Sequence, residues 1–218
     1  MKRLLTAWAF ALGLLAFAVQ AQEQLSPDQL VQRVTEDVLA AIKSDKQLAS
    51  GDKQKALKLA EEKVLPHIDF EEATRLAVGR SWREASAEQK KKLTGEFRKM
   101  LVRTYSNAIE GYQGQTLKVL PSRGGKQSED DTTVRAQFIR AGGKPLPIEF
   151  QMRKTQQGWK IYDIVVEGVS LVLTYRSEFD QVVKQSGIDG LLKRLAEKNE
   201  PASIGSSSPA KKESSSSK

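Results

Sequence analysis

The sequence predicts an α+β domain, a four-stranded antiparallel sheet with helices before and after it. Three observations carry this. Apolar residues recur at spacings of three and four up to about residue 110, alternate with polar ones to about residue 167, and then return to helical spacing. Gly124-Gly125, Gly142-Gly143 and Gly158 fall in or beside the short connections of the alternating part, as an antiparallel meander requires. Finally, Gly158 to Phe179 gathers apolar side chains on both faces of one strand, which must therefore be covered on both sides.

The chain begins with an address. Lys2 and Arg3 form a positive n-region, Leu4 to Val19 is an apolar run, and Val19-Gln20-Ala21 is a small-residue cleavage site. Residues 1–21 are therefore expected to be a cleaved signal peptide. An uncleaved anchor would need a longer apolar run. Residues 22–198 are expected to form the domain, and residues 199–218, rich in Ser and Lys, a disordered tail. Cleavage leaves 218 − 21 = 197 residues, and the formal charge of 35 − 27 = +8 falls to +6 without Lys2 and Arg3. With no Cys, neither disulfides nor a cysteine-linked lipid is available, so burial alone must hold the fold. A basic chain suits anionic partners. Export points away from nucleic acid and towards lipid headgroups or acidic protein surfaces. Plain solubilisation of helix faces remains the other reading.

Ser26-Pro-Asp-Gln29 starts the first helix, with Ser as the cap, Pro at the first helical position and Gln closing a capping box. Leu30, Val31, Val34, Val38 and Ile42 form its stripe. After Ser50-Gly-Asp52 a second helix is expected to run to about Leu65 and stop at Pro66. A short helix follows, capped by Asp69 and ended by Gly79. The longest is predicted from Ala87 to about Glu110, with Leu93, Phe97, Met100, Leu101 and Tyr105 on its apolar face. The strands are predicted at Thr116–Leu120, Thr132–Arg140, Leu146–Lys154 and Trp159–Glu167. Beyond Gly168, Val169 to Gln185 and Gly190 to Lys198 read as helices separated at Ser186-Gly187.

Little here points to catalysis. His67 is the only histidine, and beside Pro66 it fits a loop position better than a general base. One His and no Cys exclude a structural zinc site on ligand count. Neither a nucleophile elbow nor a phosphate loop is present. Asp163, flanked by Tyr162 and Ile164, is the best acid/base candidate, although an ion pair or exposure at a strand edge would account for it equally.

Val64-Leu-Pro-His-Ile-Asp-Phe70, then Thr74-Arg-Leu-Ala-Val-Gly-Arg80 with Trp82, and the whole of Gly158 to Phe179 resemble the MlaC-type periplasmic phospholipid-binding proteins, also called the toluene-tolerance family. The likeness spans about Leu25 to Glu197, and the Ser/Lys tail lies outside it. The resemblance implies a strongly curved antiparallel sheet wrapped by helices, with acyl chains between the two. It also implies a soluble carrier that shuttles glycerophospholipids across the periplasm and so maintains outer-membrane lipid asymmetry. Its partners would be an inner-membrane ABC transporter with an MCE-domain ring and an outer-membrane lipoprotein associated with porins. No metal, cofactor or covalent step belongs to that activity; the ligand is a phospholipid.

On this reading Phe97, Leu101 and Tyr105 of the long helix are expected to line the acyl cavity with Phe138, Phe150, Met152 and Val165 of the sheet. Val169, Val172 and Leu173 are expected to form its rim or wall. A periplasmic chaperone or peptide-binding module would also need a large apolar cleft and is the alternative.

Overall fold

The computed structural model describes residues 25–105, 114–121, 128–140 and 142–200. The expected signal peptide, the predicted end of the long helix and the tail from residue 201 lie outside them.

Helix α1 (Pro27–Ser44) starts at the reciprocal Ser26/Gln29 capping box read from the sequence. A short turn of helix, α2 (Lys46–Ala49), and α3 (Lys53–Lys63) follow, capped by Asp45 and Asp52. The segment expected to stay helical to Leu65 leaves α-geometry at Lys63, and Pro66 sits inside a 3₁₀ turn over Leu65–His67. Asp69 then caps α4 (Phe70–Val78) through the Glu72 N–H at 3.0 Å. Gly79 stops α4 with φ 68°, a conformation that L side chains rarely adopt. A Cβ added there would lie 3.2 Å from the Arg176 guanidinium. Gly79→Ala is therefore expected to destabilise the domain by about 1–3 kcal/mol, visible as a lower midpoint in thermal unfolding; an unchanged midpoint would contradict this.

Helix α5 spans Ala87–Tyr105. The sheet follows as β1 (Thr116–Val119), β2 (Asp131–Ile139), β3 (Leu146–Thr155), β4 (Gly158–Val166) and β5 (Val169–Ser170), in the order β1-β2-β3-β4-β5 and antiparallel throughout. Two expectations are corrected here. The sheet has five strands, not four, and Val169 does not begin a helix. Glu167 (φ 52°) and Gly168 (φ 82°) both adopt positive φ, so the chain reverses in a two-residue hairpin and Val169 pairs with Val166. Helix α6 (Arg176–Asn199) begins only after a 3₁₀ turn over Leu173–Tyr175. The break expected at Ser186-Gly187 is a kink within α6, where Gly187 has φ 69°.

A β-bulge bends the sheet at Tyr162. Met152 pairs with Ile161 and Gln151 with Asp163, leaving Tyr162 as the extra residue. The bulge also resets the alternation. Ile161, opposite Met152, and Ile164, opposite Phe150, share one face although they stand three positions apart, while Val165 lies opposite Glu149 on the other.

Among the described residues the buried side chains form three clusters rather than one continuous core. The first unites α4, α5 and α6 through Ala77, Leu93, Phe97, Phe179, Leu191 and Leu195. The second joins the start of α1 to the sheet through Leu30, Val31, Val134, Met152 and Ile161. The third, small, ties α1 to α2 and α3 through Ile42, Leu48, Ala56 and Leu59.

An ion network clamps α4 to the sheet. Glu72, 9% exposed, receives both Arg75 and, at 2.8 Å, Arg153 from β3. The Arg75 hydrogen bond, reinforced by Arg153, holds the Glu72 carboxyl below its ordinary value against the opposing pull of burial. Because the folded value is the lower one, this contribution to stability is complete above the ordinary value near 4.5 and is lost as pH falls through the folded value. Thermal midpoints measured from pH 6 downwards are expected to fall less steeply in Glu72→Gln, from a lower starting point; parallel curves would contradict this.

Candidate functional site

Where the three clusters meet they do not close on one another. A pocket of about 300 Å³ lies between α1 and α3 on one side, α4 and α5 on another, and β4 with the segment after β5 on the third. Val38, Ala60 and Val64 come from the first side; Phe70, Ala73, Leu101, Val102 and Tyr105 from the second; Ile161, Tyr162, Ile164, Leu171 and Val172 from the third. Leu65 and Ile68 complete the wall from the turn before α4, which is stitched to β4 by the Asp69 N–H on the Ile161 carbonyl at 2.8 Å.

Among the described residues the wall carries one charged side chain, Asp163, which is 6% exposed. Its carboxylate accepts the Ser170 hydroxyl at 2.5 Å and the Ile164 and Val172 N–H groups at 2.8 and 3.1 Å. Neither an ion pair nor edge exposure explains it, as the sequence alone had suggested; it ties the hairpin after β4 to the strand. Burial, ahead of a hydrogen bond with Tyr175, raises the Tyr105 phenol, and burial raises that of Tyr162, so both hydroxyls stay neutral at ordinary pH. His67 is outside the wall, and burial together with nearby Lys160 lowers its imidazole. Such a wall can shelter an apolar chain, and among the described residues it sets out no nucleophile with a base beside it. Among the described residues no group of three or more His, Cys, Asp or Glu could hold a metal, and no helix is long and apolar enough to cross a membrane.

Of the residues expected at the cavity, the structure brings Leu101, Tyr105 and Val172 together in the pocket wall. Val169 (55% exposed) and Leu173 (43% exposed) stand at the surface on either side of the Leu171–Val172 wall. Phe97 is fully buried in the helical cluster, edge-on to Tyr175 and Phe179 at 5.4 and 5.3 Å between ring centroids. Met152, fully buried, and half-buried Phe150 pack in the sheet cluster. Phe138 is half-buried opposite Leu117 and Leu146, and Val165 opposite Glu149; neither borders the pocket.

The contributions of α1, α3 and the Val64–Phe70 segment were not among the expected residues. Helical periodicity marks a side chain as inward but not as bordering a gap. The signal within reach was Val64 to Phe70 itself, an apolar-rich stretch around Pro66 that neither of its flanking helices accounts for.

Residues 32–197 match the MlaC protein family. The chain is 24% identical over 200 residues to the intermembrane phospholipid transport system binding protein MlaC of Haemophilus influenzae, covering 89% of this chain and 92% of that one. It is 22% identical over 179 residues to the toluene tolerance protein ttg2D of Pseudomonas putida, covering 81% of each. Among solved structures, a phospholipid-binding protein from Ralstonia solanacearum in complex with a phospholipid matches with a TM-score of 0.72 and 34% identity, over 80% of this chain and 97% of that one. Sequence and fold agree, and the chain belongs to the MlaC family.

Proposed function

We propose that this protein is a periplasmic phospholipid carrier, exported by residues 1–21, that holds acyl chains in the pocket between the helices and the sheet and catalyses no reaction. The carrying observation is the apolar pocket at the junction of three separate clusters. The Ralstonia relative, solved with a phospholipid, supplies the ligand class. The donor and acceptor would be an inner-membrane ABC transporter with an MCE-domain ring and an outer-membrane lipoprotein–porin complex, with outer-membrane lipid asymmetry as the result.

Energetics fit a shuttle. Two acyl chains carry roughly thirty methylenes, whose exposure to water would cost on the order of 25 kcal/mol at about 0.8 each. The carrier must therefore enclose nearly all of both chains. The lipid's alternative home is a bilayer rather than water, so net transfer between membrane and carrier is close to balanced, and docking partners decide its direction.

Mixing the protein with phosphatidylethanolamine/phosphatidylglycerol vesicles and separating the two by size should leave lipid phosphorus eluting with the protein. Protein free of phosphorus after incubation over a range of vesicle concentrations would sink the proposal, and peptides recovered from the protein would favour a chaperone instead.

A further inference from the structure

Asp163 is the charged member of an otherwise apolar wall, and its three hydrogen bonds all serve one end of the pocket. Beyond the Glu167-Gly168 turn the chain has only two residues of strand, Val169 and Ser170, before it must form the wall with Leu171 and Val172. A two-residue edge strand holds little by itself. The Leu171 N–H bonds the Ile164 carbonyl at 2.9 Å, and the residues after it are tied to β4 through Asp163. Its Oδ1 accepts the Val172 N–H directly, and its Oδ2 accepts the Ser170 hydroxyl, whose Oγ in turn accepts the Leu173 N–H at 2.8 Å. Two successive backbone donors are thus fixed to one buried carboxylate, one directly and one through a hydroxyl. Before and after the Leu171–Val172 wall, the exposed Val169 and Leu173 present apolar surface beside the pocket.

Resting on the carrier reading above, we propose that Asp163, acting through Ser170, is a positioning residue for lipid retention. It keeps the Leu171–Val172 wall in place at the Val169–Leu173 rim, and the rate at which lipid leaves is set by how firmly that wall is held. Asp163 would do this without participating in any chemistry. The buried carboxylate, read from sequence as a candidate acid or base, then has a role in transport.

The experiment is a transfer assay. Lipid-loaded full-length protein is mixed with acceptor vesicles, and the half-time for loss of a labelled phospholipid is measured beside the thermal midpoint of each variant. Ser170→Ala removes the relay while leaving the direct Val172 bond, and is expected to speed release about tenfold, the scale set by one hydrogen bond to a charged group. Asp163→Ala removes both routes and should release faster still. Ser170→Thr keeps the hydroxyl and is expected to restore retention to within about twofold of the parent. Asn199→Ala supplies the control. Its amide bonds Glu96 at the end of α6 and neither residue lines the pocket, so it should lower stability without speeding release. If Asp163→Ala fails to fold, the Ser170 pair and the control still decide. Parent-like release from lipid-loaded Ser170→Ala, or equal acceleration by Asn199→Ala, would overturn the proposal. Either result leaves the carrier reading standing, because each requires protein that has taken up lipid.

Discussion

Val172→Glu is expected to leave the protein nearly empty of lipid, with occupancy in native mass spectra falling at least about tenfold. Val172 is 5% exposed and borders the pocket, whose wall offers, among the described residues, no cation to pair with a new carboxylate. The wall already holds Asp163, so a second acid would face both acyl methylenes and a like charge. The same side chain packs in the helical cluster, so some loss of stability accompanies the substitution. Val169→Glu separates the two effects. Val169 is 55% exposed, so the fold should tolerate the change, while the charge stands at the rim past which acyl chains would enter. Occupancy is expected to fall there too, at an unchanged thermal midpoint. Parent-like occupancy in both folded variants would remove the wall and rim from the binding site.

Phe97→Ala is expected to have the largest effect on stability, a loss of about 3–5 kcal/mol. On the scale of a domain this size that lowers Tm by about 6–20 °C. The ring is fully buried and packs edge-on against Tyr175 and Phe179, so its removal opens a void that three helices cannot readily fill. The measurement is thermal unfolding of delipidated protein. A side chain lining only the ligand pocket would matter little once lipid is gone, so a shift under about 1 kcal/mol would place Phe97 at the cavity rather than in the core.

Much of the architecture was legible in the sequence because local chemistry dictates it. The capping box at Ser26 fixed where α1 begins, Asp69 and Gly79 bounded α4, and alternating side chains marked the strands. Three features were not legible, each for a physical reason. Glu167 gives little hint of positive φ, so the hairpin and fifth strand were hidden in what looked like helical spacing. The bulge at Tyr162 depends on how β3 and β4 register, and it changes which residues share a face; simple alternation groups Val165 with Ile161, whereas the pairing sets it beside Glu149 on the other face. Whether an apolar side chain meets protein or a gap is decided by neighbours distant in the chain. Phe97 and Leu101 lie one turn apart on α5, yet Phe97 is enclosed by α6 and Leu101 borders the pocket.

The central claim is that the interior leaves room for fatty tails. Its most direct test is a native mass spectrum of the exported protein, purified with no lipid added. Alongside apo protein, the account predicts a species heavier by one phospholipid, whose mass is released as lipid on activation. Apo protein alone, across preparations that retain the native fold, would contradict it.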